Sequence, residues 1–119
     1  SSRQFARKFN AKYRLPTSVK ISASASDIKT FSLTYSYVPD ILEKRTPFRQ
    51  AHLDLWSKLV NEDTVVAGGA FTPPSGAMFI IKAPTSEFIE EVVKQDPYLD
   101  AGLVTKYEIK EWNVLLGKL

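Results

Sequence analysis

The sequence predicts an α+β fold in which four strands and two helices follow one another in the order βαββαβ. Two observations predict it: stretches where apolar and polar side chains alternate, as in a strand with one packed face, and two stretches whose apolar residues recur at helical spacing. This order is that of the ferredoxin-like split unit, a four-stranded antiparallel sheet with both helices on one face. The 119 residues, 44% of them hydrophobic, fit one globular domain with its own core.

The first strand is predicted over residues 28–37, because apolar side chains alternate there with threonine and serine. Residues 40–45 are expected to add at most an extra turn. Thr46 then predicts a helix N-cap and Pro47 the first helical position, so that a helix should run from about Pro47 to Val60. The apolar stripe expected to face the sheet consists of Phe48, Ala51, His52, Leu55 and Leu59.

The middle of the chain predicts a hairpin and a second helix. Residues 64–71 and 77–83 are rich in residues that favour strands, and the Pro-Pro-Ser-Gly segment between them has turn composition. Thr85 or Ser86 is expected to cap the second helix, which should end near Lys94.

The last strand is predicted over residues 103–115. Tyr107 and Ile109 share one face, whereas Trp112 lies on the other. This change of parity predicts a bulge near Glu111 or a change of partner. Since no segment is left to cover the helix-free face of the sheet, we expect a second copy to stack there with Trp112 toward it, giving a homodimer.

Charge separates a basic leader from a mildly acidic domain. Residues 1–26 hold six Lys or Arg and no Asp or Glu, whereas residues 27–119 hold ten against thirteen. A Ser/Arg-rich segment without acidic residues is typical of an organelle transit peptide, and Ile21-Ser22-Ala23 resembles a plastid processing site. We therefore expect a chloroplast protein, with the mitochondrion or cytoplasm as alternatives; a disordered tail of a truncated chain is the alternative for the leader itself.

Composition disfavours several classes of function. With no cysteine and a single histidine, we expect no metal site of the usual zinc kind, no cysteine nucleophile and no cofactor. No RNA-binding signature or basic helix follows the leader, so a nucleic-acid partner is not expected. The longest uncharged run, residues 64–81, contains two prolines and three glycines and predicts strands and a turn instead of a membrane span. Gly68-Gly69 lacks the context of a nucleotide-binding loop and indicates close packing or a bulge.

His52 and Asp96 are the candidates for acid/base chemistry. Imidazole is the side chain whose ordinary pKa lies near neutrality, although a lone histidine on an apolar stripe is more often a packing residue. Asp54 cannot orient His52, because two residues along a helix are about 200° apart around its axis. Asp96 follows the second helix and is the best carboxylate partner, with a helix-terminating Asp-Pro turn as its alternative.

Arg49 and Arg45 precede His52, the first by one helical turn and the second just ahead of the helix. Together with the histidine they could surround an anionic substrate. Surface solubility is the alternative for both, and the preferred one for Arg45.

Several ordered motifs along the domain carry a resemblance to a known family. They are Tyr37-Val38-Pro39-Asp40, Arg45-x-Pro47-Phe48-Arg49-x-Ala51-His52-Leu53, Gly68-Gly69-Ala70, Gly76-Ala77, Asp96-Pro97-Tyr98, Gly102-Leu103-Val104 and Glu111-Trp112-Asn113. Over about residues 28–117 the chain resembles the YCII-related (YciI-like) proteins of the dimeric α/β-barrel superfamily. Where many members place glycine after the first helix, this chain has Asn61-Glu62-Asp63, so we expect a loop of different shape.

The resemblance implies two sheets stacked in a dimer, a cleft beside each sheet, and a histidine and an aspartate that fall on His52 and Asp96. One branch of the family resembles dehydrochlorinases that act on hydroxylated aromatics. The predicted function is a cofactor-independent lyase or isomerase that moves a proton on a small, oxygenated, anionic compound. His52 would be the acid/base, Asp96 would accept its other ring N–H, and Arg49, Tyr37 and Arg45 would bind substrate oxygens. A non-catalytic module that binds a small ligand or forms oligomers is the alternative.

Overall fold

The computed structural model describes residues 27–119, which form a four-stranded sheet backed by helices. Its elements are β1 (Lys29–Tyr37), α1 (Ile41–Lys44), α2 (Thr46–Asn61), β2 (Val65–Ala70), β3 (Gly76–Ala83), α3 (Ser86–Val93), α4 (Pro97–Asp100) and β4 (Val104–Glu111). The strand order is β2-β3-β1-β4 and every neighbouring pair is antiparallel, which confirms the predicted α+β class. The predicted leader and its processing site lie outside the described residues.

One face of the sheet carries the core. Phe31, Leu33 and Tyr35 of β1 pair with residues of β3 that are buried on the same face. The buried residues of α3 belong to the same hydrophobic cluster: Phe88, Ile89, Val92 and Val93. Both long helices therefore pack on one face, as predicted. No helix within residues 27–119 is long and apolar enough to cross a membrane.

The start and the buried side of α2 differ from the prediction. Thr46 is the first helical residue and not the N-cap, because Arg45 already has helical backbone angles and joins α1 to α2. The buried residues of α2 are His52, Trp56 and Leu59. Phe48 and Ala51 of the predicted stripe are exposed, so the helix is rotated toward Trp56 relative to the prediction.

The bulge of β4 lies at the opposite end of the strand from the predicted one. Ser36 pairs with Lys106 and Tyr37 with Val104, so that Thr105 is the extra residue. Glu111 pairs regularly with Phe31, and β4 ends there instead of at residue 115. Trp112 reaches the helix-free face by ordinary alternation and is 41% exposed. The prediction of a bulge near Glu111 was therefore wrong.

Two backbone features shape the region where α2 meets β2. Asp63 has a φ of 64°, the left-handed conformation that glycine adopts most easily, and it lies in the loop expected to differ from the family. A Cβ on Gly68 would lie 2.5 Å from Cδ2 of Phe79, so only glycine lets this ring approach the β2 backbone. This close approach confirms the packing interpretation for Gly68, whereas a Cβ on Gly69 would meet no atom within 4 Å.

Candidate active site

Asp96 is the centre of a buried polar cluster. It lies between α3 and α4, and its exposed fraction is 0%. Its Oδ1 accepts a hydrogen bond of 2.9 Å from the Tyr98 amide, so the Asp96 side chain caps α4. The turn expected as the alternative for Asp96 is therefore present, and it also fixes the carboxylate in space.

His52 contacts this carboxylate, as predicted. Its Nδ1 lies 2.8 Å from Oδ1 and 3.0 Å from Oδ2 of Asp96. The imidazole also stacks on the ring of Tyr98, with the centroids 3.7 Å apart and the planes 3° from parallel. Asp54 takes no part, since it accepts a hydrogen bond from Gln50 on the exposed side of α2. The histidine ring is thus held at one edge by a carboxylate and on one face by an aromatic ring.

Two further donors reach Asp96 that sequence reasoning missed. The Tyr35 hydroxyl donates to Oδ2 at 2.8 Å, and Trp56 Nε1–H donates to the same oxygen at 2.9 Å. The sequence contains an indication of each donor. Tyr35 is one of the β1 residues whose alternation places them on the packed face, and Trp56 follows His52 by one helical turn. What the pattern could not reveal is that both side chains meet one carboxylate.

The electrostatics of the cluster define its protonation state. Burial alone would raise the pKa of Asp96, but the hydrogen bond and charge of His52, together with the N–H groups of Trp56 and Tyr98, hold it below its ordinary value. Burial and the Asp96 carboxylate raise the pKa of Tyr35, so its hydroxyl stays protonated and donates. An ionised carboxylate can only accept, so His52 Nδ1 carries a proton. The ring nitrogen left to act as an acceptor in the neutral ring is Nε2.

A cavity of about 330 Å³ lies beside His52. Its walls include the rings of Trp56, Phe79 and Tyr98, and its floor includes small residues of β2 such as Gly68 and Ala70. Tyr35 and Asp96 do not belong to its lining. The imidazole is therefore the link between the buried carboxylate and a space that a small molecule can enter.

Arg45, Arg49 and Tyr37, the three predicted substrate-binding residues, all line this cavity. Within residues 27–119 no carboxylate forms an ion pair with either arginine. Burial raises the pKa of the Tyr37 hydroxyl, although the two guanidinium groups act in the opposite direction, so this hydroxyl remains a donor. The cavity thus combines two cations and a neutral donor with one ring nitrogen that can accept a proton.

In the described part of the chain, residues 27–119, there is no cluster of three or more His, Cys, Asp or Glu side chains that could hold a metal ion.

The fold and the site define an α+β domain in which a histidine, held by a buried aspartate, borders a cavity. Residues 30–113 match the YCII-related domain, so the chain belongs to this family. No curated protein matches the chain.

Two solved structures share its fold. One is a 5-chloro-2-hydroxyhydroquinone dehydrochlorinase (TftG) from Burkholderia phenoliruptrix AC1100, in complex with 2,5-dihydroxybenzoquinone. Its sequence is 22% identical to this chain and the TM-score is 0.63; the match covers 71% of this chain and 93% of the dehydrochlorinase. A protein described as a putative antibiotic biosynthesis monooxygenase, from Bacteriodes thetaiotaomicron VPI-5482, is 13% identical with a TM-score of 0.53, over 81% and 97% of the two chains.

Proposed function

We propose that this protein is an enzyme of the lyase or isomerase type that moves a proton on a small, oxygenated, anionic compound. The observation that carries the proposal is the environment of Asp96. Its carboxylate accepts hydrogen bonds only, so it fixes the tautomer of His52 and leaves Nε2 as the proton acceptor beside the cavity.

In the proposed reaction His52 acts as the general acid/base. Nε2 takes a proton from a carbon next to an oxygenated group of the substrate, and the electron pair of the broken C–H bond forms a carbon–carbon double bond. In a lyase reaction a substituent leaves the neighbouring carbon with the electrons of its bond. In an isomerase reaction the neighbouring carbon is that of a carbonyl, whose π electrons move to its oxygen to give an enolate, and His52 returns the proton to another carbon atom as the carbonyl forms again. Asp96 stabilises the imidazolium that exists between these steps, since the two groups are 2.8 Å apart.

The substrate class follows from the groups around the cavity. Arg45 and Arg49 provide positive charge without a partner carboxylate among the described residues, and Tyr37 provides a hydroxyl donor. The aromatic walls suit a planar or unsaturated compound. The dehydrochlorinase with the same fold carries a small oxygenated compound in its structure, which supports this class of ligand.

The test needs no knowledge of the natural substrate. The protein is incubated in heavy water with a panel of small hydroxy, keto and unsaturated carboxylic acids, and deuterium entry at carbon is followed by NMR. We expect the wild-type protein to exchange a C–H of at least one compound, and His52→Gln to lose that exchange while staying folded. Exchange that persists in His52→Gln would contradict the proposal.

A matched pair of variants tests the anion subsite. Arg49→Met removes a charge that lines the cavity, whereas Lys58→Met removes one from the exposed side of the same helix. Binding of benzoate is followed by the NMR signals of His52 and Trp56. We expect its Kd to rise about tenfold in Arg49→Met and to stay unchanged in Lys58→Met. Saturable binding without proton exchange on any compound would favour the binding-module alternative.

The helix-free face of the sheet supports a second proposal, a homodimer. Met78 and Ile80 of β3 lie on this face together with Trp112; Met78 is 37% exposed and Ile80 is half-buried. Two copies stacked through these faces would bury them. Sedimentation should then give twice the 13.4 kDa of the chain, and a monomer at micromolar concentration would contradict the proposal.

The import of the protein into chloroplasts is also a proposal, based on the charge of residues 1–26. A fusion of this segment to a fluorescent protein in plant cells tests it. Fluorescence confined to the cytoplasm would contradict it.

A further inference from the structure

Oδ2 of Asp96 accepts hydrogen bonds from two side chains that come from different elements, Tyr35 on β1 and Trp56 on α2. We propose that Tyr35 is a positioning residue, which together with Trp56 holds the Asp96 carboxylate as the acceptor for His52 Nδ1–H. The catalytic consequence of this inference rests on the proposed function, but its structural consequence can be measured separately.

Tyr35 is placed to act on the carboxylate and not on a substrate. It is 1% exposed and does not line the cavity, and its hydroxyl reaches Asp96 across 61 positions of sequence. Edge contacts hold its ring against Phe79, with the centroids 5.2 Å apart, and against Trp56 at 6.5 Å. A ring fixed in this way keeps the direction of its hydroxyl, so the bond to Oδ2 is preorganised.

Both oxygens of the carboxylate are needed for the arrangement at His52. Oδ1 is shared between the Tyr98 amide and Nδ1, while Oδ2 is shared between the two side-chain donors and the longer contact to Nδ1. If one donor to Oδ2 is lost, the buried carboxylate of Asp96 is less well stabilised, and its pKa rises because the protonated form is favoured. A protonated Asp96 could donate to Nδ1, which would turn the proton of the neutral ring toward Nε2 and remove the acceptor from the cavity.

The charged and titratable groups around Asp96 come from several elements. His52 faces it from α2 and Tyr35 from β1, while the charge of Asp96 also acts on the hydroxyls of Tyr37 and Tyr98. Of these, only Tyr35 combines a direct bond to the carboxylate with a position outside the cavity. Its removal therefore tests positioning without changing the groups that a substrate would touch.

The experiment compares Tyr35→Phe with Tyr107→Phe. Tyr107 pairs with Tyr35 across β1 and β4 and is half-buried, so the control removes a hydroxyl from the neighbouring ring. Two NMR readouts need no substrate: the tautomer of His52, which is the chain's single histidine, and the titration of Asp96 in protein with isotope-labelled aspartate, assigned with Asp96→Asn. We expect Tyr35→Phe to raise the titration midpoint of Asp96 and to decrease the fraction of neutral His52 protonated at Nδ1, while Tyr107→Phe changes neither.

Activity provides the third readout, once the heavy-water panel has yielded a compound that exchanges. Tyr35→Phe should lower kcat by about ten- to hundredfold and leave KM nearly unchanged. This range is typical when a group that orients a functional side chain is removed. If Tyr35→Phe does not fold, Trp56→Phe removes the other donor to the same oxygen, and the two NMR readouts should change in the same directions.

The two hypotheses fail in different ways. An unchanged tautomer and an unchanged Asp96 titration in the folded donor variant would overturn the positioning role, even if its stability were lower. Proton exchange that survives in His52→Gln would overturn the proposed function instead, and the NMR result for Tyr35 would still stand.

Discussion

The two long helices pack on the same face of the sheet but use their buried positions differently. α3 has eight residues and buries four apolar side chains, each no more than 2% exposed. α2 has sixteen residues and buries three, of which His52 and Trp56 direct ring nitrogens at Asp96. α3 therefore mainly stabilises the fold, whereas α2 buries fewer apolar side chains and instead borders a cavity and holds polar groups. Substitutions on the two helices should therefore separate stability from function.

The largest effect on stability is expected on α3. Phe88→Ala removes a ring that is 0% exposed and leaves a void in the core, so the free energy of unfolding should fall by about 3–5 kcal/mol. Phe48→Ala on α2 is the matched control, because this ring is 36% exposed and should cost about 1 kcal/mol or less. Urea denaturation measures both variants. Equal losses would contradict the division between the two helices.

The next effect is expected at Asp96, which α2 holds through two of its side chains. Asp96→Asn presents an amide to the donors that now meet a carboxylate, and should cost about 1.5–3 kcal/mol at neutral pH. Because the folded-state pKa of Asp96 is lowered from 3.8, its stabilisation is complete above that value and is lost as the pH falls through the lower folded pKa.

The difference in unfolding free energy between wild type and Asp96→Asn should accordingly narrow as the pH falls below 3.8. Asp54→Asn is the control, since this exposed carboxylate bonds only to Gln50 in the described contacts, and its effect should be a few tenths of a kcal/mol. A gap that does not narrow below pH 3.8 would contradict the assignment of an Asp96 that is ionised in the folded protein.

A smaller effect on stability is expected at Gly68 of β2, which lies against the ring of Phe79. Gly68→Ala places a Cβ 2.5 Å from Phe79, whose ring stacks on Trp56 at 4.0 Å, so the ring must move and stability should fall by about 1–3 kcal/mol. A Cβ on Gly69 meets no atom within 4 Å, and Gly69→Ala should be neutral or slightly stabilising. Thermal unfolding separates the two, and similar Tm values for both variants would contradict the close-packing argument.

Sequence periodicity was enough to predict the order of the four strands and the two long helices and the side of the sheet that carries the core, but not the short helix α4. It also placed His52 on an inward face and Asp96 after the second helix as the best carboxylate partner, but it was the resemblance to the YCII-related proteins that implied the pair. Periodicity could not place the donors Tyr35 and Trp56 around Asp96, because contacts across 61 and 40 residues depend on how the elements pack. The site was thus predictable in its two central residues and not in the groups that orient them.

The errors about boundaries have physical causes as well. Parity along the last strand shows which side a residue faces but not where a residue has been inserted, and Thr105 is exposed in a strand of mixed polarity. The buried side of α2 was misjudged because Phe48 is a large apolar residue that the fold leaves half at the surface. Neither error changed the predicted fold, since both concern local register.

The smallest effect is expected at the helix starts, which the sequence predicts to be alike and the structure shows to differ. Thr85 caps α3, with its Oγ1 accepting a hydrogen bond of 3.2 Å from the Phe88 amide, whereas no side chain caps α2 because α1 leads into it through Arg45. Thr85→Ala should therefore cost about 1 kcal/mol, and Thr46→Ala should be close to neutral, since alanine also has the higher helix propensity. Both variants remove the same hydroxyl from an equivalent position in sequence, so their difference in unfolding free energy isolates the cap. A loss in Thr46→Ala as large as that in Thr85→Ala would mean that α2 begins with a capping interaction after all, and that its continuity with α1 contributes nothing to the start of the helix.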